Sequence, residues 1–165
     1  HSKNVLSAMG EQFGSALGRP NGLRNLDNDL KLSEVSNEVH DISRVFTGAL
    51  YDVLADAFTA SRSPRTRDDA DVLYEVGSKM AALTIQAFDA APSTNATFAD
   101  VAEAMIDLVD ADPGEYPNYA TFIENQFQLR EVLGPTAVTG PVATQGFAAS
   151  RAGCCGTMQS LEYDD

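Results

Sequence analysis

Between Asn37 and about Ala60 the apolar residues Val39, Ile42, Val45, Phe46, Ala49, Leu50, Val53, Leu54, Ala57 and Phe58 return at gaps of three and four. Residues so spaced share one face of an α-helix but scatter over both faces of a strand. Kept up for about six turns, the pattern commits this stretch to a long amphipathic helix. Such a helix must bury its stripe against other elements.

The rest of the chain supplies those elements in the same period. From about Asp68 to Ala90, Val72, Leu73, Val76, Met80, Leu83, Ala87 and Phe88 form a second stripe, which Pro92 ends. Thr97 with Asp100 three residues on has the form of a capping box, opening a short helix over Val101, Ala102, Met105 and Leu108. A fourth stripe, Tyr119, Phe122, Ile123, Phe127, Arg130 and Leu133, starts near Pro117 and stops at Gly134-Pro135. Val5 to Leu17 is a further helix candidate, interrupted by Gly10 and Gly14. The fold class expected is therefore all-α, a bundle of about five helices over residues 1–134. After Gly134 the period dissolves into small residues, and 135–165 reads as an irregular tail. The polar connection from Gly18 to Ser36 is longer than a mere connector, and long ordered loops in compact domains are usually functional.

Charge narrows the function classes. Among 165 residues, 11 Lys+Arg stand against 24 Asp+Glu, a net charge of −13. The basic residues form no cluster beyond the scattered Arg62, Arg65 and Arg67, so neither nucleic acid nor a membrane surface is an expected partner. No apolar run is long enough for a membrane span. The chain begins with His1 rather than Met, which suits a processed product or an excised piece. The neighbours Cys154 and Cys155 form a strained ring if paired together and supply too few ligands for a zinc site, so they read as free thiols on the tail.

Residues able to carry chemistry are few. Of the two histidines, only His40 lies inside an element, in the first turn of the long helix, within Glu38-Val39-His40-Asp41-Ile42-Ser43. One reading is a solvated first-turn residue. The other is an imidazole presented at a helix start beside the long loop, a place suited to a proton donor or an oxyanion partner. His40-Asp41 also spells the dipeptide of the HD phosphohydrolases, but those sites need further histidines that this chain lacks. The motif His-Glu-x-x-His of the zincins is absent, as are the nucleophile elbow and the P-loop. Asp27-Asn28-Asp29 with Glu38 imitates a calcium loop, yet Leu32 stands where glycine is needed and Lys31 replaces a ligand.

Taken in order, the motifs resemble the C-terminal helical domain of thermolysin-like (gluzincin) zinc metallopeptidases. The likeness runs through Gly22-Leu23-Arg24-Asn25, Glu38-Val39-His40-Asp41-Ile42-Ser43 and Gly48-Ala49-Leu50-Tyr51. It continues through Gln86-Ala87-Phe88, Ala96-Thr97-Phe98-Ala99-Asp100, Ala102-Glu103-Ala104-Met105 and Arg130-Glu131-Val132-Leu133-Gly134, so it covers about residues 20–134. The resemblance implies a two-lobed peptidase whose amino-terminal lobe and central helix carry the zinc, the general base and His-Glu-x-x-His. It implies for His40 the histidine that hydrogen-bonds the tetrahedral oxyanion, and for Arg24 the arginine that binds a substrate carbonyl, with Leu23 contributing to a specificity pocket. The family's acidic residue that orients the histidine lies five positions before it. Here that position is Val35, with Glu34 and Glu38 nearby as substitutes.

The likeness and the missing zinc motif fit together if the chain is the C-terminal lobe of a zinc-dependent metalloendopeptidase. Its implied partners are the amino-terminal zinc-binding lobe and a peptide substrate, zinc being the cofactor of the parent and not of this chain. The resemblance also implies an extracellular parent. The alternative is a non-catalytic helical domain that binds a peptide or a protein.

Overall fold

A computed structural model of the chain describes residues 8–9 and 24–134. Four α-helices make up most of it: α1 Val39–Ser61, α2 Asp69–Ala90, α3 Phe98–Ala111 and α4 Tyr119–Leu129. The all-α reading holds, with four helices rather than about five among the described residues. Where a helix was expected over Val5–Leu17, Ala8–Met9 instead forms a two-residue strand, β1. It pairs antiparallel with β2, Arg24–Asn25, with Ala8 opposite Asn25 and Met9 opposite Arg24. Gly10 and Gly14 weaken a helix at this place, and the backbone of β2 offers hydrogen bonds in its stead. The remainder of that candidate helix and the expected tail, 135–165, lie outside the described residues.

Each helix start is fixed by a carboxylate or a hydroxyl, or by backbone geometry. The Glu38 carboxylate accepts from the N–H groups of His40 and Asp41 at 3.0 and 3.2 Å, and Asp68 accepts from Ala70 at 2.7 Å. The Thr97–Asp100 box forms as its sequence predicts, with the Asp100 N–H donating to Thr97 Oγ1 at 3.1 Å and the Thr97 N–H to Asp100 Oδ2 at 2.7 Å. Helix α4 starts behind Asn118, whose φ of 67° is left-handed. It ends at Leu129, four residues short of the end of its apolar stripe. The reversal is a Schellman turn: the Val132 N–H donates to the Phe127 carbonyl and the Glu131 N–H to that of Gln128, both at 2.9 Å, with Glu131 left-handed at φ 63°. Val132 and Leu133 are thereby folded back into the core.

The helices form a ring in which α1 packs on α2 and α4, and α3 packs on the same two. Its centre is aromatic. Phe46 of α1 stacks on Phe98 at 4.4 Å between ring centroids and tilts against Phe127 at 5.3 Å. Val45, Ala49, Val53, Val72, Leu83, Ala87, Ala102, Met105, Ile123 and Phe127 are fully buried around it. Sealing a side chain the size of Phe127 or Leu83 from water contributes about 1.5–3 kcal/mol, which tertiary packing gives and an isolated helix cannot. Two members of the α2 stripe are only partly sealed: Leu73 and Phe88 stay 44% and 51% exposed, although the Phe88 ring tilts against Phe46 at 6.0 Å between centroids.

Candidate functional site

The loop that follows β2 is ordered by its contacts with α1 and α4. Asn28 donates through Nδ2 to the carbonyls of Asn25 and Arg44, at 2.8 and 3.2 Å, while its Oδ1 accepts from the Leu30 N–H. Asn28 lies directly over Gly48 of α1, where a Cβ would stand 2.9 Å from its side chain and 3.0 Å from its backbone oxygen. Farther along, the Leu32 N–H donates to the Arg130 carbonyl at 3.1 Å and the Ser33 N–H to Glu131 Oε2 at 2.9 Å. The Ser33 hydrogen bonds hold the Glu131 carboxyl below its ordinary range. The loop therefore delivers the chain into Glu38 and α1 from a fixed direction.

His40 stands in the first turn of α1, its side chain 45% exposed. Glu38 does two things there. One oxygen caps the helix, and the other lies 3.8 Å from His40 Nε2, at ion-pair range rather than hydrogen-bond distance. Of the two carboxylates that sequence offered in place of Val35, Glu38 is thus the one beside the imidazole. Glu34 accepts from the Lys31 N–H at 3.0 Å within a short 3₁₀ turn, Leu32–Glu34. The first turn is further braced by Ser36, whose hydroxyl donates to Asp41 Oδ2 at 2.7 Å, and by the ion pair of Asp41 with Arg44 at 3.5 Å. Arg24 is placed by its backbone in β2, which lies against α1; its side chain and the whole of Leu23 lie outside the described residues.

Among the described residues no three or more His, Cys, Asp or Glu side chains are grouped to hold a metal ion. None of the described helices is long and apolar enough to cross a membrane.

A second polar group was not anticipated as a unit. Arg130, 4% exposed, donates through Nη2 to Asp52 Oδ2 of α1 at 2.5 Å and to the Asn28 carbonyl at 2.6 Å. Burial pushes the Asp52 carboxyl up; Arg130 pulls it down, and Asp29, Asp56 and Asp27 raise it further. The one signal in the sequence was an arginine falling on an apolar stripe. Beside this group, Asp56, Asn125, Gln126, Gln128 and Leu129 line an open depression of about 500 Å³, across which Gln126 Nε2 donates to Asp56 Oδ2 at 2.8 Å. Arg130 and Asp52 join loop, α1 and α4, which is the work of a structural staple.

The fold and the His40 turn thus define a helical bundle with a histidine presented at a capped helix start. Comparison of the chain with family models, curated proteins and solved structures found no match.

Proposed function

We propose that this chain is the C-terminal lobe of a thermolysin-like zinc metalloendopeptidase, with His40 as the group that stabilises the oxyanion. The observation that carries the reading is the half-exposed His40 imidazole in the first turn of α1, with the Glu38 carboxylate 3.8 Å from Nε2. A tetrahedral intermediate of peptide hydrolysis bears a negative oxygen. A donor already fixed at the place where that charge develops stabilises the transition state more than the bound substrate. The capped α1 start holds the backbone of His40, and the second Glu38 oxygen lies 3.8 Å from its Nε2.

Arg24 is the residue to which the reading gives the substrate carbonyl, through a planar two-point donor that lysine cannot reproduce. Leu23 would border the pocket for a substrate side chain. The zinc belongs to the other lobe, where it would polarise the scissile carbonyl when bound.

The test is made on the natural protein that carries this chain, assayed for zinc-dependent cleavage of a peptide. His40→Ala is expected to lower kcat on the order of 100-fold with a smaller change in KM. Arg24→Lys is expected to raise KM. An intact kcat in the His40 variant overturns the assignment. Peptide binding without hydrolysis by the whole protein would favour the non-catalytic binding domain instead.

A further inference from the structure

Arg24 and His40 lie sixteen residues apart in the chain, and a covalent route of that length does not by itself fix the distance between them. The distance matters for two groups that bind successive places on one peptide, because a misplacement of about 1 Å can cost on the order of 100-fold. In the run Asp27-Asn28-Asp29, which imitates a calcium loop, the fold uses Asn28 as a bracket across the gap. Its Nδ2 donates at 2.8 Å to the carbonyl of Asn25, the residue after Arg24, and at 3.3 Å to that of Leu26. The same Nδ2 donates at 3.2 Å to the carbonyl of Arg44, one helical turn past His40. A single amide thus joins the end of β2 to the first turns of α1.

The bracket is itself held. Asn28 Oδ1 accepts from the Leu30 N–H at 3.2 Å, and the Asn28 carbonyl accepts from the buried Arg130 guanidinium at 2.6 Å. Gly48, four residues past Arg44, leaves free the space that the amide occupies. Asparagine suits this place because its side chain both donates and accepts at the right length. Aspartate has the same shape but only accepts, and it would set a carboxylate against three carbonyl oxygens.

We propose that Asn28 is a positioning residue for substrate binding, which holds Arg24 at a set distance from His40. The inference rests on the function proposed above, since it takes Arg24 as the group that meets a substrate carbonyl. Acting through Arg24, Asn28 bears on how firmly a peptide is bound. His40 is held by the Glu38 cap of α1, which does not involve the amide. Loss of the bracket is therefore felt in KM, and kcat is left to His40. A residue that served only to keep the chain folded would behave in the opposite way, lowering kcat through the fraction of active molecules and leaving KM alone.

Kinetics of the natural protein that carries this chain, on a peptide substrate, test the inference. Asn28→Asp is expected to raise KM about tenfold, with kcat within about twofold of wild type. In an Arg24→Ala background the same change should raise KM less than about twofold, because no arginine is left to place. Gly48→Ala disturbs the bracket from the helix side and should also raise KM, so it decides the matter if Asn28→Asp does not fold. An unchanged KM in both variants, a loss confined to kcat, or an Asn28→Asp effect as large without Arg24 as with it overturns the inference. The proposed function then still stands where His40→Ala and Arg24→Lys behave as stated for them. Where those two variants keep wild-type constants, or the wild type does not cleave the peptide, function and inference fall together.

Discussion

Gly48 and Gly77 both stand inside long helices, on two sides of the molecule that are built in opposite ways. Over Gly48 the loop of Asn28 presses onto α1, and the polar groups point inward: Asn28, Asp52 and Arg130 meet where α1, α4 and the loop converge. Around Gly77 the arrangement is reversed. The charged groups of α2 lie outside, in the exposed pairs of Arg62 with Asp69 and of Arg67 with Glu75, and Tyr74 and Ile85 stand exposed beside them. A glycine is thus a contact inside one region and an open place on the other. The first side spends its polar groups on fixing a loop, and the second leaves a helix face unoccupied by the described residues.

Arg130→Ala should break the first side most severely. It removes a buried guanidinium and strands the Asp52 carboxylate among Asp27, Asp29 and Asp56, at a cost of about 3–5 kcal/mol in urea denaturation. Arg130→Met, which restores the volume, should recover part of that loss. Next comes Gly48→Ala, whose new Cβ meets the backbone oxygen of Asn28 as well as its side chain. It should destabilise by about 1–3 kcal/mol despite the better helix former. Gly77→Ala should do the opposite, gaining about 0.5–1 kcal/mol. Equal signs for the two glycine variants would erase the contrast.

Acid titration sharpens it further. The folded state holds the Asp52 proton more tightly than the unfolded chain does. That contribution to stability is whole below the unfolded pKa and is lost as pH rises through the folded one. Wild type should therefore gain on Asp52→Asn as the pH falls through the carboxylate range. On the other side the signs reverse: Arg62 holds the Asp69 carboxyl down and Arg67 that of Glu75, so their contribution is present above the unfolded values and fades as pH falls. Being exposed, these pairs should give the smallest effect. Arg62→Ala should barely move the denaturation midpoint, and molar salt should remove what difference there is.

The helices were legible because periodicity and caps are local. The Thr97–Asp100 box and the starts near Asn37, Asp68 and Pro117 could be read from neighbouring residues alone. The end of α4 could not. Gly134 offered the obvious stop, but the left-handed residue is Glu131, whose carboxylate is held by Ser33 from 98 residues away. The strand at Ala8–Met9 was hidden for the same reason, since its partner is β2 and not its own neighbours. Of the candidate site, the sequence placed His40 at a helix start; that Glu38 and not Glu34 stands beside it followed from where the 3₁₀ turn uses Glu34.

By itself the sequence determined that this protein is helical, where its long helices begin and which stripe of each turns inward, because hydrogen bonds and apolar spacing within a helix are set by residues three and four apart. Only the tertiary structure decided that Arg130 is a buried staple, that Gly48 is a contact while Gly77 is open, and that Leu73 and Phe88 stay about half-exposed. Those outcomes depend on which element arrives from far along the chain to cover a given face, and a pattern of near neighbours carries no record of that arrival.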